Sequence, residues 1–127
     1  MAKPSKQGIE RIIDATKYSM KGFKAVWRFE AAFRQELTLA VIGVVTAFFV
    51  ARSIADFLWL ILPLFIVLIA ELANSAIEAT VDRISSEHHE LSGRAKDIGS
   101  AMVFVSLVLT VLIWTVILIG YFGIKLI

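Results

Sequence analysis

Phe57-Leu58-Trp59-Leu60-Ile61-Leu62-Pro63-Leu64-Phe65-Ile66-Val67-Leu68-Ile69-Ala70 carries no charge, and Glu71-Leu72-Ala73-Asn74-Ser75-Ala76-Ile77-Glu78-Ala79-Thr80-Val81-Asp82 continues it directly. Fourteen apolar residues are too few to cross a bilayer, which needs roughly 20. The helix must therefore take Glu71, and then Glu78, with it. Glu71, Asn74, Glu78 and Asp82 are spaced 0, +3, +7 and +11, one stripe of a helix. Carboxylates at hydrocarbon depth are costly, so they face a partner, a cavity or a substrate. The chemistry is expected on that stripe.

Composition agrees with a membrane setting. The chain has 127 residues, 58% of them hydrophobic, more apolar surface than one soluble core of this size can hide. Two further uncharged runs flank the first, Leu37–Ala51 and Ile98–Ile124. The expected fold is all-α, a single membrane domain over 1–127. It comprises an amphipathic surface helix over about 5–30 and transmembrane helices over about 32–52, 56–85 and 97–122. The link near Ala51–Asp56 is short, which favours an antiparallel pair, and Pro63 is expected to bend the second span. No secretory signal peptide is read: the first thirty residues lack a continuous apolar core. Cysteine is absent, so disulfides and thiolate metal sites are excluded.

Eight of the thirteen Lys and Arg residues precede the first span: Lys3, Lys6, Arg11, Lys17, Lys21, Lys24, Arg28 and Arg34. Arg83, Arg94 and Lys96 follow the second, while Arg52 and Lys125 fall on the other side. The positive-inside rule then puts the N-terminus and the 83–97 loop in the cytoplasm. Ile9, Ile12, Ile13, Thr16, Met20, Phe23 and Trp27 recur at helical spacing between the early cations. That pattern predicts a helix lying in the cytoplasmic interface, drawn to anionic lipid. Its apolar face needs burial and a membrane is adjacent, which argues against nucleic acid as partner.

Depth orders the acids. At about 1.5 Å per residue from Asp56, Glu71 lies roughly 22 Å along the helix and Glu78 roughly 33 Å. With hydrocarbon about 30 Å thick, Glu71 is within it and Glu78 at its edge. Such a face suits an enzyme joining a lipid group to a charged, soluble cosubstrate. A polyphosphate would meet Arg94 and Lys96, and a divalent ion would bridge it to Glu78. Glu30, expected at the same depth, offers a second carboxylate for Mg²⁺. Plainer roles compete: interhelical hydrogen bonds for Glu71, Asn74 and Glu78, and an ion pair with Arg34 for Glu30. Adjacent His88 and His89 point apart and lack a third zinc ligand. Neither Gly-x-x-x-x-Gly-Lys-Ser/Thr nor Gly-x-Gly-x-x-Gly occurs. A lone three-helix subunit would leave Glu71 and Asn74 facing lipid, so oligomerisation is expected.

Three motifs resemble the bacterial integral-membrane diacylglycerol kinases, and the resemblance runs from about Arg11 to Gly123. They are Glu71-x-x-Asn74-Ser75-Ala76-Ile77-Glu78-x-x-Val81-Asp82-Arg83, Ser86-Glu87-x-His89-Glu90-Leu91-Ser92-Gly93-Arg94-Ala95-Lys96-Asp97, and Glu30-Ala31-Ala32-Phe33-Arg34-Gln35-Glu36. The resemblance implies a homotrimer of the bacterial inner membrane, with sites shared between subunits. Its reaction is transfer of the γ-phosphate of ATP to diacylglycerol, giving phosphatidic acid. It implies Glu71 as general base with Asn74 beside it, and Glu30 and Glu78 holding Mg²⁺ and ATP. It likewise implies that Tyr18, Glu87, His88, His89, Lys96 and Asp97 contact the nucleotide, and Arg11 and Ser100 the lipid end. Ala73 replaces a larger aliphatic residue, and His88 stands where an aromatic is common, which puts a side-chain role there in doubt. Two alternatives remain: undecaprenol kinase of the same superfamily, and a small proton-coupled transporter using Glu71. A purely structural subunit leaves the paired carboxylates unexplained.

Overall fold

The structure, a computed structural model, describes residues 7–123. It contains four helices: α1 (Ile9–Phe29), α2 (Ala31–Val50), α3 (Ile54–Ile84) and α4 (Glu90–Tyr121). No strand occurs among the described residues. Three of the helices, α2, α3 and α4, are long and apolar enough to cross a membrane, so the chain reads as a multi-pass membrane protein. The expected helical start near residue 5, and Lys3, Lys6 and Lys125, lie outside the described residues.

Each boundary has a local cause. Gly8 precedes α1 at φ 67°, a backbone that suits glycine. Glu30 breaks the chain between α1 and α2 with an extended backbone, φ −118° and ψ 103°. Arg34 then turns back, its Nη1 donating to Trp27 O at 2.6 Å and Arg28 O at 3.3 Å, which serves the open carbonyls at the end of α1. Glu30 therefore does not hold Arg34 as the sequence spacing suggested; those carbonyls do. Ser53 caps α3, accepting from Asp56 N at 3.1 Å. His89 caps α4, its Nδ1 accepting from Leu91 N at 3.1 Å. Helical structure thus begins at Glu90, ahead of the apolar run, and Arg94, Lys96 and Asp97 ride on a helix rather than a loop.

The 31 residues of α3 make a rod of about 46 Å, longer than the hydrocarbon is thick. It runs through Pro63 unbroken, with Pro63 and Leu60 fully buried. Trp114 Nε1 on α4 donates to Leu60 O at 3.0 Å, close to the backbone position where proline withholds a donor. Further along, Gly99 of α4 meets Asn74 of α3, so the two helices run antiparallel. On the other flank, Gly43 of α2 lies under Leu64. Ala40 and Ala47 continue that seam, and small residues let the backbones approach. At the far end Arg52 ties the turn together, with Nη1 to Gly120 O at 2.8 Å and Nε to Asp56 Oδ2 at 3.3 Å.

Burial is inverted relative to a soluble domain. Phe48, Phe49, Phe104 and Val105 are exposed, while Glu71, Asn74, Ser75 and Ser106 are buried. One expectation is corrected here. A single chain does not present Glu71 and Asn74 to lipid: they are 4% and 7% exposed, because α2 and α4 flank α3 on both sides.

Candidate active site

The buried polar stripe of α3 is the centre. Asn74 Nδ2 donates to Glu78 Oε1 at 3.3 Å, one turn on, while its Oδ1 is buried without a partner. Gly99 makes this possible. A methyl there would fall on Asn74 Oδ1 and come within 3.2 Å of its Cγ. Glu71 faces Glu36 of α2 within hydrogen-bonding reach. Two ionised carboxylates hold no donor between them, and Glu36 Oε2 is accordingly buried without one. Such a pair is satisfied by a shared proton or a cation. Glu78 and Glu30 also lie close enough for their charges to act on Glu71.

Two cavities adjoin the stripe and share Leu72 as a wall. One, about 580 Å³, is apolar, with Phe23 and Trp27 of α1, Phe33 and Leu37 of α2, and Phe65 and Leu68 of α3. The other, about 420 Å³, lies between α1 and α3 and is lined by Glu30, Phe29, Ser75 and Ala79 among others. An apolar space and one that Glu30 helps to line thus meet at Leu72, the residue after Glu71, which itself lines neither.

Beyond the stripe, Lys96 of α4 reaches Asp82 of α3 at 2.5 Å, and Glu78 also acts on its charge. Arg94 pairs with Glu90 at 3.5 Å on the surface. His88 and Asp97 line a third cavity, about 490 Å³, with Gly93 and Arg94. Glu87 is exposed in the turn before α4, its backbone N–H donating to Ser85 Oγ. Ser100 is exposed, next to Gly99 on α4. Arg11 and Tyr18 stand exposed on α1, with Lys21 Nζ 5.7 Å from the Tyr18 ring centroid. Neither lines the cavities beside Glu71. The structure therefore gathers Glu30, Glu71, Asn74 and Glu78, sets Lys96 nearby, and leaves Arg11 and Tyr18 on the outer helix.

Sequence reasoning passed over Glu36 and Ser75 as site residues. Glu36 follows Arg34 in a charged approach to the first span and reads as interfacial. Only the cross-helix register shows it facing Glu71.

An α-helical bundle with three membrane-length helices and a buried acid–amide stripe defines a membrane protein built around an intramembrane polar site. The comparisons define it further. The prokaryotic diacylglycerol kinase family model matches residues 17–118. Relatives named diacylglycerol kinase include that of Escherichia coli (strain K12), 48% identical over 91% of this chain and 95% of its own. That of Pseudomonas aeruginosa is 49% identical over 89% and 92%, and that of Haemophilus influenzae 44% over 84% and 91%. This chain belongs to the prokaryotic diacylglycerol kinase family.

Proposed function

We propose that the chain is a bacterial inner-membrane enzyme that transfers the γ-phosphate of ATP to the free hydroxyl of diacylglycerol, giving phosphatidic acid. Relatives of that name over most of the chain support the reaction class. The single structural observation that carries the mechanism is a buried acid, Glu71, on a membrane-length helix, faced by a second acid, Glu36, and next in sequence to Leu72, where the two cavities meet.

Glu71 is the general base. As the lipid oxygen bonds to the γ-phosphorus, Glu71 takes the hydroxyl proton and the bond to the bridging oxygen of ADP breaks. Phosphoryl transfer asks mainly for positioning and charge stabilisation, which suits a site with no nucleophile of its own. Asn74 fixes Glu78 through Nδ2 and keeps Oδ1 for a donor brought in by substrate.

Glu30 and Glu78 would hold Mg²⁺ with ATP. Their hard oxygen donors fit that ion, which takes one or two carboxylates and completes its shell with water and phosphate. Among the described residues no group of three or more acids or histidines forms a ready metal cage. When bound, the ion neutralises phosphate charge. Lys96 supplies a further cation beside Glu78.

Tyr18, Glu87, His88, His89 and Asp97 complete the nucleotide side. His89 uses Nδ1 as a helix cap, which leaves Nε2–H as the ring's remaining donor. Arg11 and Ser100 serve the lipid end. The exposed Ile9, Ile12, Phe23 and Trp27 support α1 as an amphipathic lid in the cytoplasmic interface. Half-buried Glu30 and Glu78 leave room for a neighbouring copy, in keeping with a trimer whose sites are shared.

Transfer from labelled ATP to diacylglycerol in mixed micelles, with Mg²⁺ or with chelator, tests this. Mg²⁺-dependent label in phosphatidic acid is expected. No transfer from folded protein would restore the proton-transporter reading of Glu71.

A further inference from the structure

Hydroxyls in the helices of this chain usually bond to their own backbone. Thr46, Thr80 and Thr110 each donate to the carbonyl four residues earlier, at 2.8 Å. The buried Ser106 donates to Val103 O at 2.6 Å. Ser75 breaks the pattern. It is 6% exposed, and its Oγ has no hydrogen-bond partner. A buried hydroxyl left unpaired is costly, so its direction needs a reason.

Two features surround it. Glu71 lies one helical turn earlier on the same face, its carboxyl within reach of the Ser75 hydroxyl though without a settled bond. On the other side Ser75 lines the cavity that Glu30 enters. Glu71 is also faced by Glu36, and a single shared proton between the two acids engages only one Glu71 oxygen. The second Glu71 oxygen is then left without a fixed donor. A neutral O–H one turn along is a donor that fixes it without adding charge.

We infer that Ser75 is a positioning residue for the transfer, its O–H donating to the Glu71 carboxylate and holding that base toward the cavity lined by Glu30. This rests on the assignment of Glu71 as base. The hydroxyl touches no reacting atom in this account; it aligns the group that does.

The test uses the full chain in mixed micelles with Mg²⁺-ATP and diacylglycerol. Ser75→Ala removes the donor at nearly constant shape. Ser75→Thr keeps it and adds a methyl, which the adjoining cavity accommodates. Loss of an outer-shell partner of this kind costs about 10–100-fold, so kcat of Ser75→Ala should fall by that factor. KM for ATP and for lipid should stay within about twofold, the mark of an interaction made at the transition state. Ser75→Thr should recover most of the rate. A Ser75→Ala enzyme at the native rate overturns the inference. So does an equal fall in Ala and Thr, which signals packing, or a rise in KM at constant kcat, which signals a substrate contact. If Ser75→Ala does not fold, Ser75→Cys, a weaker donor of similar shape, is judged by the same criteria.

Glu71→Gln separates the levels. Native activity that survives in Glu71→Gln removes the base assignment and this inference together. A silent Glu71→Gln beside a normal Ser75→Ala removes this inference alone. No transfer by the native protein removes the proposed function itself.

Discussion

Glu71 is set among Glu36 across the α2–α3 seam, Ser75 one turn on, and the charges of Glu78 and Glu30 beyond. A base in that setting should be separable from binding. Glu71→Gln is expected to lower turnover by at least about 10²-fold, the usual worth of positioned proton transfer. ATP affinity, measured by titration calorimetry, should change little. Lost affinity with normal residual turnover would contradict the role. Glu78→Gln should raise the Mg²⁺ concentration needed for half-maximal rate, and an unchanged metal titration would move the ion elsewhere. Glu71, Asn74 and Glu78 were legible in the sequence because polar residues at 3- and 4-residue spacing are conspicuous after fourteen apolar ones. Glu36 and Ser75 were not. One is camouflaged by Arg34, the other by being a small hydroxyl beside Asn74, and the meaning of both lies in contacts that spacing along one helix does not encode.

At the scale of the helices, α4 sets the site by how near it comes to α3. Gly99→Ala brings two opposed effects. The helix gains about 1 kcal/mol of propensity, while overpacking a tight seam costs about 1–3 kcal/mol. The added carbon lands on Asn74 Oδ1, with Asn74 Cα only 3.7 Å away, so the asparagine must yield. Activity should fall more than stability does, read as kcat against the unfolding midpoint in detergent. At the opposite end, Arg52→Ala removes the bond to Gly120 O and the pair with Asp56. A loss of about 1 kcal/mol of stability with unchanged KM is expected there, since one hydrogen bond is worth about that much and the pair is solvent-exposed. The three long apolar elements were readable from uncharged runs once these were extended through flanking charged residues, and α1 from the helical spacing of its apolar side chains. The start of α4 was harder: Gly93, Arg94 and Lys96 look like loop residues, and only His89 as a cap with Glu90 behind it shows the helix beginning there.

For the whole molecule, the proposed topology places the cationic ends of α3 and α4 on the ATP side. Because the chain has no cysteine, single cysteines report accessibility cleanly. His88→Cys should react with an impermeant thiol reagent only when the cytoplasmic face is open, and Ser53→Cys only from the other face. Reversed labelling would invert the orientation. Glu71 is already buried within one chain, so the proposed trimer would serve to complete the surroundings of Glu30 and Glu78 rather than to shelter Glu71.

The central claim is that this membrane acid serves phosphate transfer to a lipid alcohol. Labelled ATP offered to native and Glu71→Gln protein in mixed micelles, with diacylglycerol and undecaprenol in separate reactions, tests it most directly. The account predicts Mg²⁺-dependent label in phosphatidic acid from the native protein and almost none from Glu71→Gln. Label confined to polyprenyl phosphate, or equal transfer by the two proteins, would contradict it.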